Sequence, residues 1–143
     1  NKQLTQAGAV EALLLFLGDH REDLQVVSKS LVALRRLLKQ SQDRHSLLLR
    51  QISHGGLPEG HRGIQLVVEA MQEHVYDETV VREASLLLTS LSANAGNVPV
   101  LMSLALQPCM KALEVHQHEV SVADALAGLL AQLPIEEDES LAK

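Results

Sequence analysis

Three histidines are the first residues of this chain whose types and spacing could do chemistry. Each closes nearly the same eleven-residue phrase: "VEALLLFLGDH" ends at His20, "IQLVVEAMQEH" at His74 and "LQPCMKALEVH" at His116. Imidazole ligates metals, moves protons and changes charge near neutral pH. A shared zinc would need every ligand nitrogen about 2 Å from one point. Equivalent residues of stacked helical repeats stand on the order of 8–10 Å apart instead, one helix-packing distance. The expected role is therefore structural: each histidine ends a helix, where a cationic ring complements the negative end of the helix dipole. His116 with His118, and His54 with His61, make pairs, but no carboxylate or thiolate stands at a spacing that completes a site. Neither a metal nor a cofactor is expected.

Covalent and acid–base catalysis have equally little to work with. The chain contains no G-x-S-x-G, no H-E-x-x-H and no phosphate-loop pattern, so no catalytic residue is assigned and no enzyme is expected. The single cysteine, Cys109, falls at an apolar position equivalent to Leu13 and Val67 and reads as core filler rather than nucleophile. One cysteine excludes an intrachain disulfide and fits a reducing compartment.

The elements that carry these residues follow from the repetition itself. A shift of 54 residues lays His20 on His74, Asp23 on Asp77, Val27 on Val81 and Leu34 on Leu88; a further 42 reaches His116, Val122 and Leu130 from His74, Val80 and Leu88. Val10, Leu13, Leu14 and Leu17 give the one-sided stripe of a helix, and Val26, Ser30, Ala33, Leu34 and Leu37 give a second. Small residues at Ser30 and Ala84 suit close helix contact. Asp23 and Asp77 are N-caps by type, and Glu119 is a weaker one. Pro99 and Pro108 sit where a first turn tolerates proline, and Pro134 stops the last helix.

A shorter helix is expected before each pair, in "NKQLTQAG", "DRHSLLLRQI" and "NVPVLMSLAL", capped by Asn1, Asp43 and Asn97. The expected units are residues 1–42, 43–96 and 97–133, with 134–143 as an acidic tail or linker. The second unit is longer by twelve residues, "ISHGGLPEGHRG", expected as an insertion loop over 52–62.

Composition agrees with an all-α chain. Of 143 residues 46% are apolar, yet Phe16 and Tyr76 are the only aromatics, which argues against a sandwich or barrel. Net charge is −6. It is unevenly spread: residues 1–62 hold nine Lys/Arg against six Asp/Glu, and residues 63–143 hold three against twelve. The acidic rear half argues against nucleic acid as a partner. No apolar run approaches the roughly 18 residues that span a bilayer, and no secretory leader is visible, so neither membrane insertion nor export is expected. An intracellular, cytoplasmic address is the expectation, with the nucleus also open.

"NKQLTQAGAVEALLLFL…LQVVSKSLVALRRLL" resembles an armadillo repeat, down to its Ala-Gly-Ala-Val entry, and "RGIQLVVEAM…TVVREASLLLTSLS" is similar, with Gly63 at the entry. The third unit diverges, with Leu104 where the glycine would stand, and HEAT-like repeats are close neighbours of the pattern. The resemblance implies a right-handed α-solenoid of three three-helix repeats, part of a longer array, whose third helices line a concave groove for a protein or extended peptide. In peptide-binding members an Asn ladder and Trp pockets grip the ligand. Those places here hold Arg36, Ser90 and Gln132, and Val32, Leu86 and Gly128, so capture of nuclear import signals in that manner is not expected. The implied groove instead comprises Ser28, Lys29, Val32, Arg36, Arg82, Leu86, Ser90, Asp124 and Gln132, basic at the front and acidic at Asp124. The implied function is a non-catalytic interaction scaffold. The alternative is a regulatory or docking array of a larger enzyme such as a kinase. Adjacent repeats of the same chain are the other expected contacts.

Overall fold

The computed structural model describes residues 2–40, 45–54 and 61–134, and among them every regular element is helical. In chain order these are α1 (Lys2–Asp19), α2 (Leu24–Gln40), α3 (His45–His54), α4 (Arg62–Glu73), α5 (Glu78–Leu91), α6 (Val98–Leu104), α7 (Leu106–Val115) and α8 (Val120–Ala131). A 3-10 turn, Ala95–Asn97, leads into α6.

Helices pair as α1–α2, α4–α5 and α7–α8, and the pairs stand side by side. One sheet of helices runs α1–α4–α7 and the other α2–α5–α8, so each pair touches the next through both members. The interior is the aliphatic stripe of each helix. Val10, Leu17, Val27, Leu31, Leu34, Ile52, Ile64, Val67, Met71, Val80, Leu87, Leu88, Leu126 and Leu129 are all sealed from water. Each such Leu contributes about 1.5–3 kcal/mol relative to exposure. Ser30 and Ala84 are both buried, as their size suggested.

Caps form where the sequence placed them, with two exceptions. Asp23 Oδ1 accepts from the backbone N–H groups of Gln25 and Val26 at 3.0 and 3.2 Å, and Asp77 Oδ1 accepts from Val80 at 2.9 Å. Asn97 stands at the N-cap position of α6 but does not cap it. Its Nδ2 turns inward and donates to Ser53 Oγ and to the Leu91 carbonyl, both at 2.9 Å, tying α3, α5 and α6 together. Glu119 makes no cap bond either. The expected caps Asn1 and Asp43 lie outside the described residues.

Two expected boundaries shift. α1 is continuous from Lys2, so "NKQLTQAG" is not a separate helix ahead of the first pair. A Cβ placed on Gly8 would meet nothing within 4 Å, so no neighbour forces the chain to turn there. The expected insertion loop also starts later than 52 and ends earlier than 62. Ile52, Ser53 and His54 extend α3, and Arg62 opens α4; residues 55–60 lie outside the described residues. Ile52 continues the buried stripe of Leu48 and Leu49, and Ser53 Oγ donates to the Leu49 carbonyl at 2.6 Å, which keeps the helix wound.

Gly63 differs in kind from Gly8. A Cβ there would lie 1.3 Å from the Ile52 carbonyl oxygen, so only hydrogen lets the end of α3 cross the start of α4. Gly63→Ala is expected to cost several kcal/mol or to prevent folding, since the obstacle is backbone. Gly128→Ala, in α8 with nothing within 4 Å of the added Cβ, is expected to gain about 0.5–1 kcal/mol from helix propensity. Urea denaturation followed by far-UV circular dichroism measures both; equal effects at the two glycines would refute the close-approach argument.

Candidate functional site

The histidines do not converge. His74 and His116 are the C-cap residues of α4 and α7, and His20 follows the end of α1. Each of the two later rings reaches back across a seam. His74 Nε2 donates to the Arg21 carbonyl at 2.8 Å, and His116 Nε2 donates to the Val75 carbonyl at 2.6 Å. A carbonyl only accepts, so both Nε2 atoms carry the proton. Arg21 and Val75 are themselves equivalent positions, each one residue past the histidine of its own unit. The recurring histidine is thus a rung that pins the turn of one helix pair to the turn of the pair before it. The dipole reading correctly placed these residues at helix ends but missed this bond.

His116 is the most constrained of the three, almost fully buried and bonded at both nitrogens. Its Nδ1 faces the Glu119 carboxylate while Nε2 faces Val75. Two acceptors on one ring call for two protons, so the cation fits this pocket. Burial alone would lower the His116 pKa, but the Glu119 and Val75 hydrogen bonds, aided by the charges of Glu119 and Glu78, raise it overall. The His116 hydrogen bond, offset in part by desolvation, lowers the pKa of Glu119.

A second polar tie crosses the first seam. Arg35 grips Glu83 with a fork, Nε to Oε1 at 2.6 Å and Nη2 to Oε2 at 3.4 Å, and Glu83 is only 8% exposed. Arg82 Nε lies 3.9 Å from the same carboxylate. From the turn between α1 and α2, Arg21 Nη1 meets Glu69 Oε1 of α4 at 3.1 Å. The signal that identifies the tie is Glu83 itself, a carboxylate interrupting the apolar run Val80, Val81, Ala84, which demands a partner.

The nine groove candidates occupy one stripe on each of α2, α5 and α8, away from the buried face. Lys29, Arg36, Asp124 and Gln132 are exposed; Ser28, Val32, Arg82, Leu86 and Ser90 are half-buried. Ser28, Val32 and Arg36 lie on α2 and Arg82, Leu86 and Ser90 on α5, which packs on α2; Asp124 lies on α8, which packs on α5, and Gln132 is the C-cap residue of α8. Ser90 Oγ donates to the Leu86 carbonyl at 3.3 Å, so its proton is already engaged on its own helix. Arg82 is partly compensated by Glu83. What remains for a ligand is the cationic group of Lys29 and Arg36, the half-open Val32 and Leu86, and Asp124 beyond them.

Other chemistry finds little purchase. Cys109 is buried, and desolvation pushes its thiol pKa up to about 12, which leaves no thiolate near neutrality. The His54 and His61 rings lie 5.5 Å apart, but no group of three metal-ligating side chains occurs among the described residues. His116 cannot join His118 on a metal without giving up Glu119 or Val75. Comparison with protein-family models, curated proteins and solved structures finds no match.

The signs of the two shifts fix a pH window. A raised histidine pKa adds stability that is full below the ordinary 6.5 and is lost as pH climbs through the folded value. A lowered carboxyl pKa adds stability that is full above the ordinary 4.5 and is lost as pH falls through the folded value. Glu119→Gln is therefore expected to lower the melting temperature most between about pH 4.5 and 6.5, with the gap to wild type closing above that window. Thermal melts from pH 4 to 9 test this; a gap that widens with alkali would refute the charged pair.

Proposed function

We propose that this chain is a section of an armadillo-like α-solenoid and works as a non-catalytic docking scaffold. The reading has three supports: the internal repeat, the side-by-side helix pairs, and the alignment of equivalent residues on successive long helices. The observation that carries it is the outward stripe of α2, α5 and α8. Equivalent positions on consecutive helices give a ligand evenly placed contacts, as an extended peptide requires. No packing demand explains Lys29 and Arg36, which are exposed. Val32 and Leu86 beside them offer apolar footing for a side chain.

The ligand class follows from that chemistry. Guanidinium forks pair with carboxylates, so an acidic segment bearing an aliphatic or aromatic anchor fits the front of the stripe. Asp124 at the far end favours a basic residue there. The partner is thus an extended protein segment with a polarity of charge, bound in one direction.

Selection of a random peptide library on the immobilised chain is expected to enrich acidic peptides with an apolar anchor. Lys29→Glu combined with Arg36→Glu is expected to abolish their binding, a loss of at least about tenfold per severed charge-assisted contact. Helical circular dichroism should be unchanged. Peptides that bind wild type and variant alike would move the site off this stripe.

A further inference from the structure

His116 differs from His74 in what its second nitrogen meets. Among the described residues the His74 ring makes one hydrogen bond, from Nε2 to the Arg21 carbonyl. A neutral imidazole supplies that single donor, so losing a proton from the charged form breaks nothing in the first seam. His116 needs both nitrogens: Nε2 faces the Val75 carbonyl across the second seam, and Nδ1 faces Glu119 on its own side. A neutral ring carries one N–H and can serve only one of these acceptors. Whichever nitrogen is stripped then turns a lone pair toward an oxygen. The ring is only 2% exposed, so water has little room to step between them.

The carboxylates around the two rings differ in the same sense. Asp77 stands where Glu119 stands, but its carboxylate caps α5 through the Val80 N–H. Glu119 makes no cap bond and turns to His116 instead. Glu78, at the start of α5, lies within side-chain hydrogen-bonding reach of Glu119, and its charge acts on His116. In the first seam the place of Glu78 is held by Leu24, which has no charge. Glu78 belongs to the second helix pair and Glu119 to the third, so the imidazolium stands with two carboxylates, one from each side of the seam. The other ionisable neighbours are spent or in solvent: Asp77 is committed to its cap, and Tyr76, Glu73 and His118 are exposed.

We propose that the joint between the second and third helix pairs is a proton-operated latch. With His116 charged, the ring clasps Glu119 and the Val75 carbonyl together and offsets the repulsion between Glu119 and Glu78. When the proton leaves to solvent, the ring keeps its bond to the carboxylate, the stronger acceptor, and the bond to Val75 is lost. Glu78 and Glu119 then repel one another across the seam with no cation between them. Helices α7 and α8 loosen from α4 and α5, while the first seam stays closed. The direction follows from the raised pKa of His116: the clasp is complete below the ordinary 6.5 and is lost as pH climbs through the folded value. Stability lost with alkali thus falls on one joint, not on the whole stack. The latch lies between layers and stands whether or not the outward stripe takes a ligand.

Hydrogen exchange read by mass spectrometry from about pH 6 to 8.5 tests it, each segment's rate being divided by its unprotected rate at the same pH. Protection of α7 and α8 is expected to fall several-fold as pH rises, by at most about tenfold per pH unit because one proton is released. Protection of α1 and α2 is expected to stay level over the same range. Glu119→Gln removes the charge that holds the imidazolium. Its α7 and α8 are expected to be loosened already at about pH 6 and to respond little to further alkali. The Glu119 side chain reaches solvent, so the helical spectrum of this variant should persist. His116→Gln, which cannot titrate, is expected to give a level profile; if it does not fold, the wild-type and Glu119→Gln profiles still decide. A level profile in wild-type α7 and α8, an equal fall in α1 and α2, or an unchanged slope in either folded variant overturns the proposal.

Discussion

Helix α5 has almost no surface of its own to give to water, and the rest of the molecule is arranged by that fact. Val80, Val81, Glu83, Ala84, Ser85, Leu87, Leu88 and Leu91 are all buried along it. The helix packs on α4 within its pair and lies between α2 and α8. A single pair of helices would leave two of those flanks wet, at a cost of roughly 25 cal/mol for each Å² of apolar surface left exposed. The pairs are therefore stable as neighbours rather than as individuals. Apolar contact of this kind is forgiving of small slips, which leaves register to be decided by other groups.

Polar bonds between pairs supply that register. The His74 and His116 rungs, the Arg35–Glu83 fork, and the Asn97 link to Ser53 and Leu91 each join atoms far apart in sequence. Made, such a bond adds only about 1 kcal/mol net; left unmade in a buried place, its groups cost more than that. Their main effect is to penalise misaligned stacking. Gly63 does the same by sterics, admitting α3 across α4 at one place only.

Much of this was legible from the chain, and the gaps have physical causes. Apolar spacing located the long helices, and Asp23 and Asp77 marked their starts, because those signals act within a turn or two of the residue itself. The rungs were not legible, because their acceptors are backbone carbonyls that every residue type supplies. Glycine misled at Gly8: the residue permits a break but does not cause one, and only the neighbouring Ile52 carbonyl makes Gly63 obligatory. Asn97 misled in the opposite sense. It is a good cap by type, yet a buried hydroxyl and a carbonyl offered its amide a better use. The residues of the candidate stripe do fall on long helices, but the engagement of Ser90 and Arg82 with their surroundings depends on side-chain geometry that spacing does not encode.

The buried thiol of Cys109 gives the last helix pair a built-in clock. Alkylating reagents attack the thiolate, and this sulfur, dry and held at a pKa of about 12, offers none while α7 is seated. Modification then waits on the rare moments when α7 lifts from its neighbours. The rate of that reaction, compared with the rate for an unfolded chain, counts how often the stack breathes at its far end. One atom, chosen by packing rather than for reactivity, makes the looseness of a single layer measurable without any engineered substitution.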